Sequence, residues 1–140
     1  MTERTLAIVK PDGVAAGKVG KVIARIEAER LRIVGLRLVR LSRAQAEGFY
    51  AVHRERPFFA ALTAFMSSGA AVAMVLEGEG AIARWREIMG ATDPAKAAAG
   101  TLRRELAENI ERNVVHGSDG PDTARQEIAF FFDAAQILSR

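Results

Sequence analysis

An α/β sandwich is the fold class that this 140-residue sequence predicts, and three observations lead to it. Two short apolar runs, 5–9, which opens on Thr5, and the fully apolar 71–76, read as buried strands. Stretches whose apolar residues recur at helical spacing lie between and after them. The composition is 49% hydrophobic and 26% charged with no cysteine, which excludes disordered, collagen-like and disulfide-scaffold classes. No linker, repeat or low-complexity tract interrupts it, so residues 1–140 are expected to form one domain.

In chain order, 5–9 is bounded by Pro11-Asp12-Gly13 and forms the first strand. A helix over about 17–30 follows, with Val19, Val22, Ile23 and Ile26 at i, i+3, i+4 and i+7. Residues 32–40 alternate strictly in polarity and predict a half-exposed strand carrying Leu36, Arg37, Leu38 and Arg40. Ser42 and Gln45 fit a capping box that opens a short helix toward His53. Another helical piece, 58–68, stops at Gly69. The strand at 71–76 turns through Glu77-Gly78-Glu79-Gly80 into a helix with Ile82, Trp85 and Met89 along one stripe. Thr92-Asp93-Pro94 reads as a cap with proline early in the next helix. A short helix is expected over 102–110 and a last one from Pro121, with Ala124, Ile128 and Phe131 spaced for packing. Strands interleaved with helices that cover a sheet face suit a ferredoxin-like arrangement. That fold needs a fourth short strand, for which 114–116 is the best candidate.

Twenty basic against seventeen acidic residues give a net charge of +3, with only Lys10, Lys18, Lys21 and Lys96 as lysines. So mild a balance suits any anionic ligand and equally an ordinary solvated surface. Without cysteine there is no thiol nucleophile and no thiolate metal site. The longest apolar stretch, 70–76, falls far short of the roughly 18 residues that span a membrane. Met1-Thr2-Glu3-Arg4 runs directly into a strand, so no secretory signal is visible. A soluble, cytoplasmic protein is expected.

The search for chemistry is short because there are two histidines. His53 sits among Arg54, Glu55 and Arg56 and reads as a solvated helix residue. His116 follows Val114-Val115 and precedes the small-residue loop Gly117-Ser118-Asp119-Gly120, which runs into a helix N-terminus where negative charge is favoured. An imidazole there is either a base or covalent nucleophile, or a structural histidine closing a loop. Lys10, Arg86, Thr92, Arg103 and Asn113 are the groups that phosphoryl transfer needs: cations for the oxygens, a hydroxyl and an amide for positioning. Glu127 in the last helix is the carboxylate placed to accept from one ring nitrogen of His116. Gly13-Val14-Ala15-Ala16-Gly17-Lys18-Val19 looks like a P-loop, but three residues rather than four separate its glycines. Val19 also stands where a magnesium-binding hydroxyl is required. It is a strand–helix turn. No paired-carboxylate site or His-rich metal spacing is present, so no protein metal site is expected.

Six ordered blocks together resemble one family, the nucleoside diphosphate kinases, across essentially the whole chain. They are Arg4-Thr5-Leu6-Ala7-Ile8-Val9-Lys10-Pro11-Asp12-Gly13, Arg56-Pro57-Phe58-Phe59, Met89-Gly90-Ala91-Thr92-Asp93-Pro94, Gly100-Thr101-Leu102-Arg103, Asn113-Val114-Val115-His116-Gly117-Ser118-Asp119 and Glu127-Ile128-Ala129-Phe130-Phe131-Phe132. The resemblance implies a ferredoxin-like βαββαβ fold with a four-stranded antiparallel sheet, and an enzyme working by ping-pong exchange. His116 would take the γ-phosphate of a nucleoside triphosphate, usually ATP, on Nδ1 and pass it to a nucleoside diphosphate. It also implies that Lys10, Tyr50, Arg86, Thr92, Arg103 and Asn113 hold phosphates or ribose. Phe58 would stack on the base with Leu62 and Ile110 nearby, and Ser118 and Glu127 would support His116. Mg2+ would arrive mainly on the substrate's phosphates. Dimers building tetramers or hexamers are expected, with no nucleic-acid or membrane partner. One departure is Gly120, which stands where a serine commonly caps the last helix. A silent nucleotide- or nucleic-acid-binding module using the same cleft is the alternative, but nucleic-acid binders of this fold carry exposed sheet aromatics in a recognisable motif. At 6% aromatic content no such motif is found.

Overall fold

The computed structural model describes residues 2–139. The chain runs β1 (Thr2–Val9), α1 (Pro11–Ala15), α2 (Val19–Ala28), β2 (Arg32–Arg40), α3 (Arg43–Phe49), α4 (Phe59–Met66), β3 (Ala70–Glu79), α5 (Ala81–Met89), α6 (Leu102–Leu106), β4 (Val115–Gly117) and α7 (Pro121–Phe131). Single 3-10 turns lie at Ala51–His53, Pro94–Lys96 and Ala134–Gln136. The four strands form one antiparallel sheet in the order β2-β3-β1-β4. This is the ferredoxin-like order: β1 and β3 are central, each followed by a helix that packs on the sheet.

Alternation along β1 divides the core. Ala7 and Val9 join Val22 and Ile26 of α2 and Trp85 and Met89 of α5 on one face. Leu6 and Ile8 join Ala46, Tyr50, Met66 and Phe131 on the other. Helices therefore cover both faces. The fourth strand falls where the fold required it, pairing Ala7 with Gly117, Ile8 with His116 and Val9 with Val115.

Local differences from the sequence reading have physical causes. The alternation in β2 is interrupted by a bulge between Ile33 and Gly35, where Val34 and Gly35 are both buried. A ring carbon of Phe132 lies 3.1 Å from where a Gly35 Cβ would stand, so the bulge brings bare backbone against the ring. Past the bulge, Leu36 and Leu38 pair with Met74 and Val72 and stay exposed at the sheet edge. Residues 77–79 continue β3 rather than turn. Glu77 sits opposite Arg4 on one neighbour and Arg32 on the other, and bonds to both at 2.9 and 3.3 Å, so cross-strand charge pairing carries the strand onward.

The Ser42–Gln45 capping box forms as expected. The glycine-bounded segment after β1 contains a turn of helix, α1, before α2 begins at Val19. Asp93, not Thr92, caps the next element, accepting from the N–H of Ala95, and that element is one 3-10 turn. The helix from Leu102 ends at Leu106, short of Ile110.

Candidate active site

Antiparallel pairing with β1 decides which way β4 points its side chains. His116 lies opposite Ile8 and shares its face, toward α3 and α7. Gly117 points to the other face, where an added Cβ would meet the Trp85 ring at 2.6 Å. The indole Nε1 of Trp85 donates to the carbonyl of His116 at 3.0 Å. A histidine on a strand of three residues is thus fixed from beneath by a buried tryptophan.

The imidazole is held at one nitrogen. His116 Nε2 is 2.8 Å from Glu127 Oε1. The same oxygen accepts from Ser118 Oγ at 2.9 Å, and Ser118 Oγ accepts from the N–H of Leu6 at 3.2 Å. A carboxylate only accepts, so Nε2 is the nitrogen that donates, and in the neutral ring Nδ1 keeps its lone pair. The chain of bonds ties the ring to the middle of β1. Phe49 and Tyr50 stand edge-on to it, with ring centroids 5.6 and 6.4 Å away. The side chain of His116 is 17% exposed, enough to meet a ligand from solvent.

Beside it sits a cationic cluster. Lys10 Nζ donates to Asn113 Oδ1 at 2.8 Å, and Asn113 Nδ2 donates to the Thr92 carbonyl at 3.3 Å. Burial, and then the neighbouring Arg103, push Lys10 down from 10.5 to about 8, while Asp12 pulls it back up. Arg103 donates to three carbonyls, those of Gly90 at 3.0 Å, Val115 at 2.8 Å and Asn113 at 3.4 Å. Burial and then Arg86 lower its affinity for its proton, to about 10, which leaves it charged at neutral pH. Arg86 pairs with Asp119 at 2.8 Å on the surface, a contact weak enough for an anion to displace.

The other expected residues are distributed around this centre. The Tyr50 hydroxyl is buried without a hydrogen-bond partner, and burial, then Glu127, raise its pKa and keep it neutral. The Thr92 side chain is exposed and only its carbonyl is engaged. Phe58 and Ile110 are exposed apolar side chains, at 47% and 55%, that the core does not use. Leu62 is half-buried on α4 against the α3 side of the core. The guanidinium of Arg112, two residues after Ile110, lies 6.0 Å over the Phe65 ring near the end of α4. Two cavities, of about 700 and 540 Å³, lie away from His116. The larger lies between the start of β1 and α7, and the smaller between the turn at Pro94 and the Ile110 loop.

Two features escaped sequence reading. Val114 has φ +71, a left-handed conformation that is strained for a β-branched residue by about 1–3 kcal/mol unless its surroundings enforce it. Asp12 Oδ2 accepts from the Val114 N–H at 3.0 Å, and the N–H of Lys10 donates to the Val114 carbonyl at 2.7 Å. A Cβ on Gly13 would come within 2.9 Å of both Val114 and Val9, so only glycine lets α1 approach the loop. His53, read as a solvated residue, stacks beside Tyr50 and lies 5.5 Å from the Phe58 ring. No local pattern announces the Val114 contacts, because they join segments about a hundred positions apart. Those of His53 are with near neighbours in the chain and depend on how the 3-10 turn at Ala51–His53 aims the ring.

Among the described residues no group of three or more His, Asp or Glu side chains is gathered to hold a metal ion, and no helix is long and apolar enough to cross a membrane. The family model for nucleoside diphosphate kinase matches residues 3–137. A nucleoside diphosphate kinase of Desulfosudis oleivorans is 62% identical over 138 residues, covering 99% of each chain. The crystal structure of the Aquifex aeolicus nucleoside diphosphate kinase superimposes with a TM-score of 0.96 at 45% identity, over 99% of this chain and 100% of that one. That of a halophilic nucleoside diphosphate kinase from Halobacterium salinarum, in complex with CDP, gives 0.96 at 40% identity, over 100% and 93%.

Proposed function

The chain belongs to the nucleoside diphosphate kinase family and is a phosphotransferase acting on nucleotides, and on that premise we propose that His116 is the residue that carries the phosphoryl group between them. The observation that carries this reading is the bond from His116 Nε2 to Glu127, which leaves Nδ1 as the nitrogen free to attack, on a partly exposed ring that follows the Lys10-bonded Asn113 by three residues.

The reaction has two balanced halves. The Nδ1 lone pair attacks the γ-phosphorus of a nucleoside triphosphate. A P–N bond forms, the bond to the β,γ-bridging oxygen breaks, and the diphosphate leaves with that electron pair. In the return half a terminal β-oxygen of the acceptor diphosphate attacks the same phosphorus and the P–N bond breaks. No proton need leave the histidine, because Glu127 holds the Nε2 proton throughout. Positive charge develops on the ring as the P–N bond forms, and the carboxylate 2.8 Å away stabilises it. Lys10, Arg86 and Arg103 would neutralise the phosphate oxygens, with Asn113 and Thr92 orienting them. Tyr50, neutral and packed against the ring, would limit its rotation. Phe58, with Leu62 and Ile110, would stack on the base, a contact that tolerates any base because each has a π-face.

Mg2+ fits as a passenger on the nucleotide. The ammonium, guanidinium, amide and hydroxyl groups around His116 suit phosphate oxygens. The nearby carboxylates are each already engaged, Glu127 with His116 and Ser118, Asp119 with Arg86 and Asp12 with the Val114 N–H, and among the described residues they are not gathered into a cation site. When bound to the phosphates the ion supplies neutralisation of their charge.

Self-association is part of the same reading. β2 is an edge strand, and Leu36 and Leu38 on it are 54% and 71% exposed. An unpaired strand edge with apolar side chains invites a second copy, so a dimer through β2, building tetramers or hexamers, is the assembly we expect. Light scattering of wild type and Leu38→Glu checks it. A cytoplasmic location, where nucleotide pools are maintained, goes with this substrate class.

The deciding experiment mixes the protein with γ-labelled ATP and magnesium without acceptor. Acid-labile, base-stable label on the chain that moves to GTP on adding GDP supports the reading, provided His116→Ala takes no label. ATP binding without label would overturn it.

A further inference from the structure

Val114 stands between the two halves of the candidate site. On its N-terminal side is Asn113, bonded to Lys10; two residues after it is His116. Whatever fixes the conformation of Val114 therefore fixes how the phosphate-binding pair lies relative to the nucleophile. Its φ of +71 is one that a valine does not adopt unaided. Around it, the Val115 N–H closes a three-residue turn onto the Asn113 carbonyl at 2.8 Å, and the Lys10 N–H and the Arg103 guanidinium reach loop carbonyls, those of Val114, Asn113 and Val115. The Val114 N–H has one partner, Asp12 Oδ2. Nothing in the phosphoryl transfer described above uses Asp12.

We propose that Asp12 is a positioning residue for this transfer: its carboxylate holds Val114 in the left-handed conformation and so sets the register between the Lys10–Asn113 pair and His116. The geometry around it is built for that purpose. Asp12 lies in the first turn of α1, pointing back across the loop. Gly13 beside it is bare, so that the Val114 side chain can close over α1. The second carboxylate oxygen, Oδ1, is buried without a partner, so the side chain is kept in place by the single bond to Val114. This role rests on His116 being the phosphoryl carrier.

The test compares Asp12→Ala with Asp12→Asn in single-turnover phosphorylation by ATP, below neutral pH, where Lys10 stays charged in both. Asparagine keeps an oxygen that accepts from the Val114 N–H; alanine does not. Loss of the bond lets Val114 relax, and the rate constant falls by about 10- to 100-fold in Asp12→Ala while KM changes by less than about threefold. Asp12→Asn stays within a few-fold of wild type. Trp85, the single tryptophan, bonds to the His116 carbonyl, so its emission shifts in Asp12→Ala and returns in Asp12→Asn. A second variant guards against simple misfolding. Adding Val114→Gly to Asp12→Ala supplies a residue that adopts positive φ freely, and part of the lost rate is regained. If asparagine is as slow as alanine, or the loss lies entirely in KM, or glycine at 114 restores nothing, the proposal is overturned. If wild type itself takes no label, it is the assignment of His116 that fails instead.

Discussion

The carboxylate of Glu127 lies 2.8 Å from Nε2 of His116 and accepts from Ser118 through the same oxygen, so a single atom settles both the tautomer and the tilt of the imidazole. Replacing it separates charge from shape. Glu127→Gln keeps an acceptor but loses the charge that favours the developing imidazolium. A hydrogen bond to a charged group contributes about 1.5–3 kcal/mol, so kcat should fall by about 10- to 100-fold with KM little changed. Steady-state exchange kinetics measure it. An unchanged kcat would remove Glu127 from the mechanism.

Ser118 sits one bond further out, and its loss should register in stability first. The residue is fully buried and its Oγ accepts from the Leu6 N–H in the central strand. Ser118→Ala leaves that N–H buried and unpaired, which costs about 1–3 kcal/mol. Urea unfolding should show this as a lower midpoint at unchanged slope, together with a smaller decline in kcat than in Glu127→Gln.

The strands and the histidine loop were legible because they depend on local pattern. Residues 5–9 and 71–76 are apolar on both faces, as central strands covered on both sides must be, and the need for a fourth strand pointed to the segment before His116. What stayed hidden depends on partners far away in sequence. Glu77-Gly78-Glu79 reads as a turn until Arg4 and Arg32 appear on either side of it. Val114 reads as an ordinary strand residue until Asp12, about a hundred positions earlier, takes its N–H. Of the candidate residues, Lys10, Asn113, Arg103 and Glu127 are joined to the His116 loop by hydrogen bonds, whereas Phe58 and Ile110 are exposed side chains that no hydrogen bond ties to it.

Lys10 predicts a pH dependence with a definite sign. Burial, then Arg103, depress it from 10.5 to about 8. As pH rises through about 8 the free enzyme loses the ammonium that is proposed to receive phosphate, so kcat/KM should fall. Bound phosphate favours the charged form, so the fall in kcat itself comes at higher pH. Stability moves the other way. Between about 8 and 10.5 the unfolded chain retains a proton on this lysine that the folded chain has released, so this group makes stability rise with pH, and its cost is complete only below about 8. Activity that falls while the urea midpoint at this pH does not would identify titration, not alkaline unfolding, as the cause. A flat kcat/KM across this range would show that Lys10 does not receive the phosphate.

Phe58 offers the cleanest separation of binding from folding. Its ring is 47% exposed, near the exposed turn of His53, and leaves the core largely to Phe49 and Phe131. Removing it should therefore cost little stability. If the ring stacks on the base, Phe58→Ala loses about 1–3 kcal/mol of binding, which raises the nucleotide KM by about 5- to 150-fold. The chemistry proposed for His116 would be untouched, so kcat at saturation should hold. The rise should be larger for purine than for pyrimidine diphosphates, since the larger ring system covers more of the phenyl face, yet no base should be rejected. A KM that stays constant for every base would mean that the base lies elsewhere, and the exposed ring would then need another occupant.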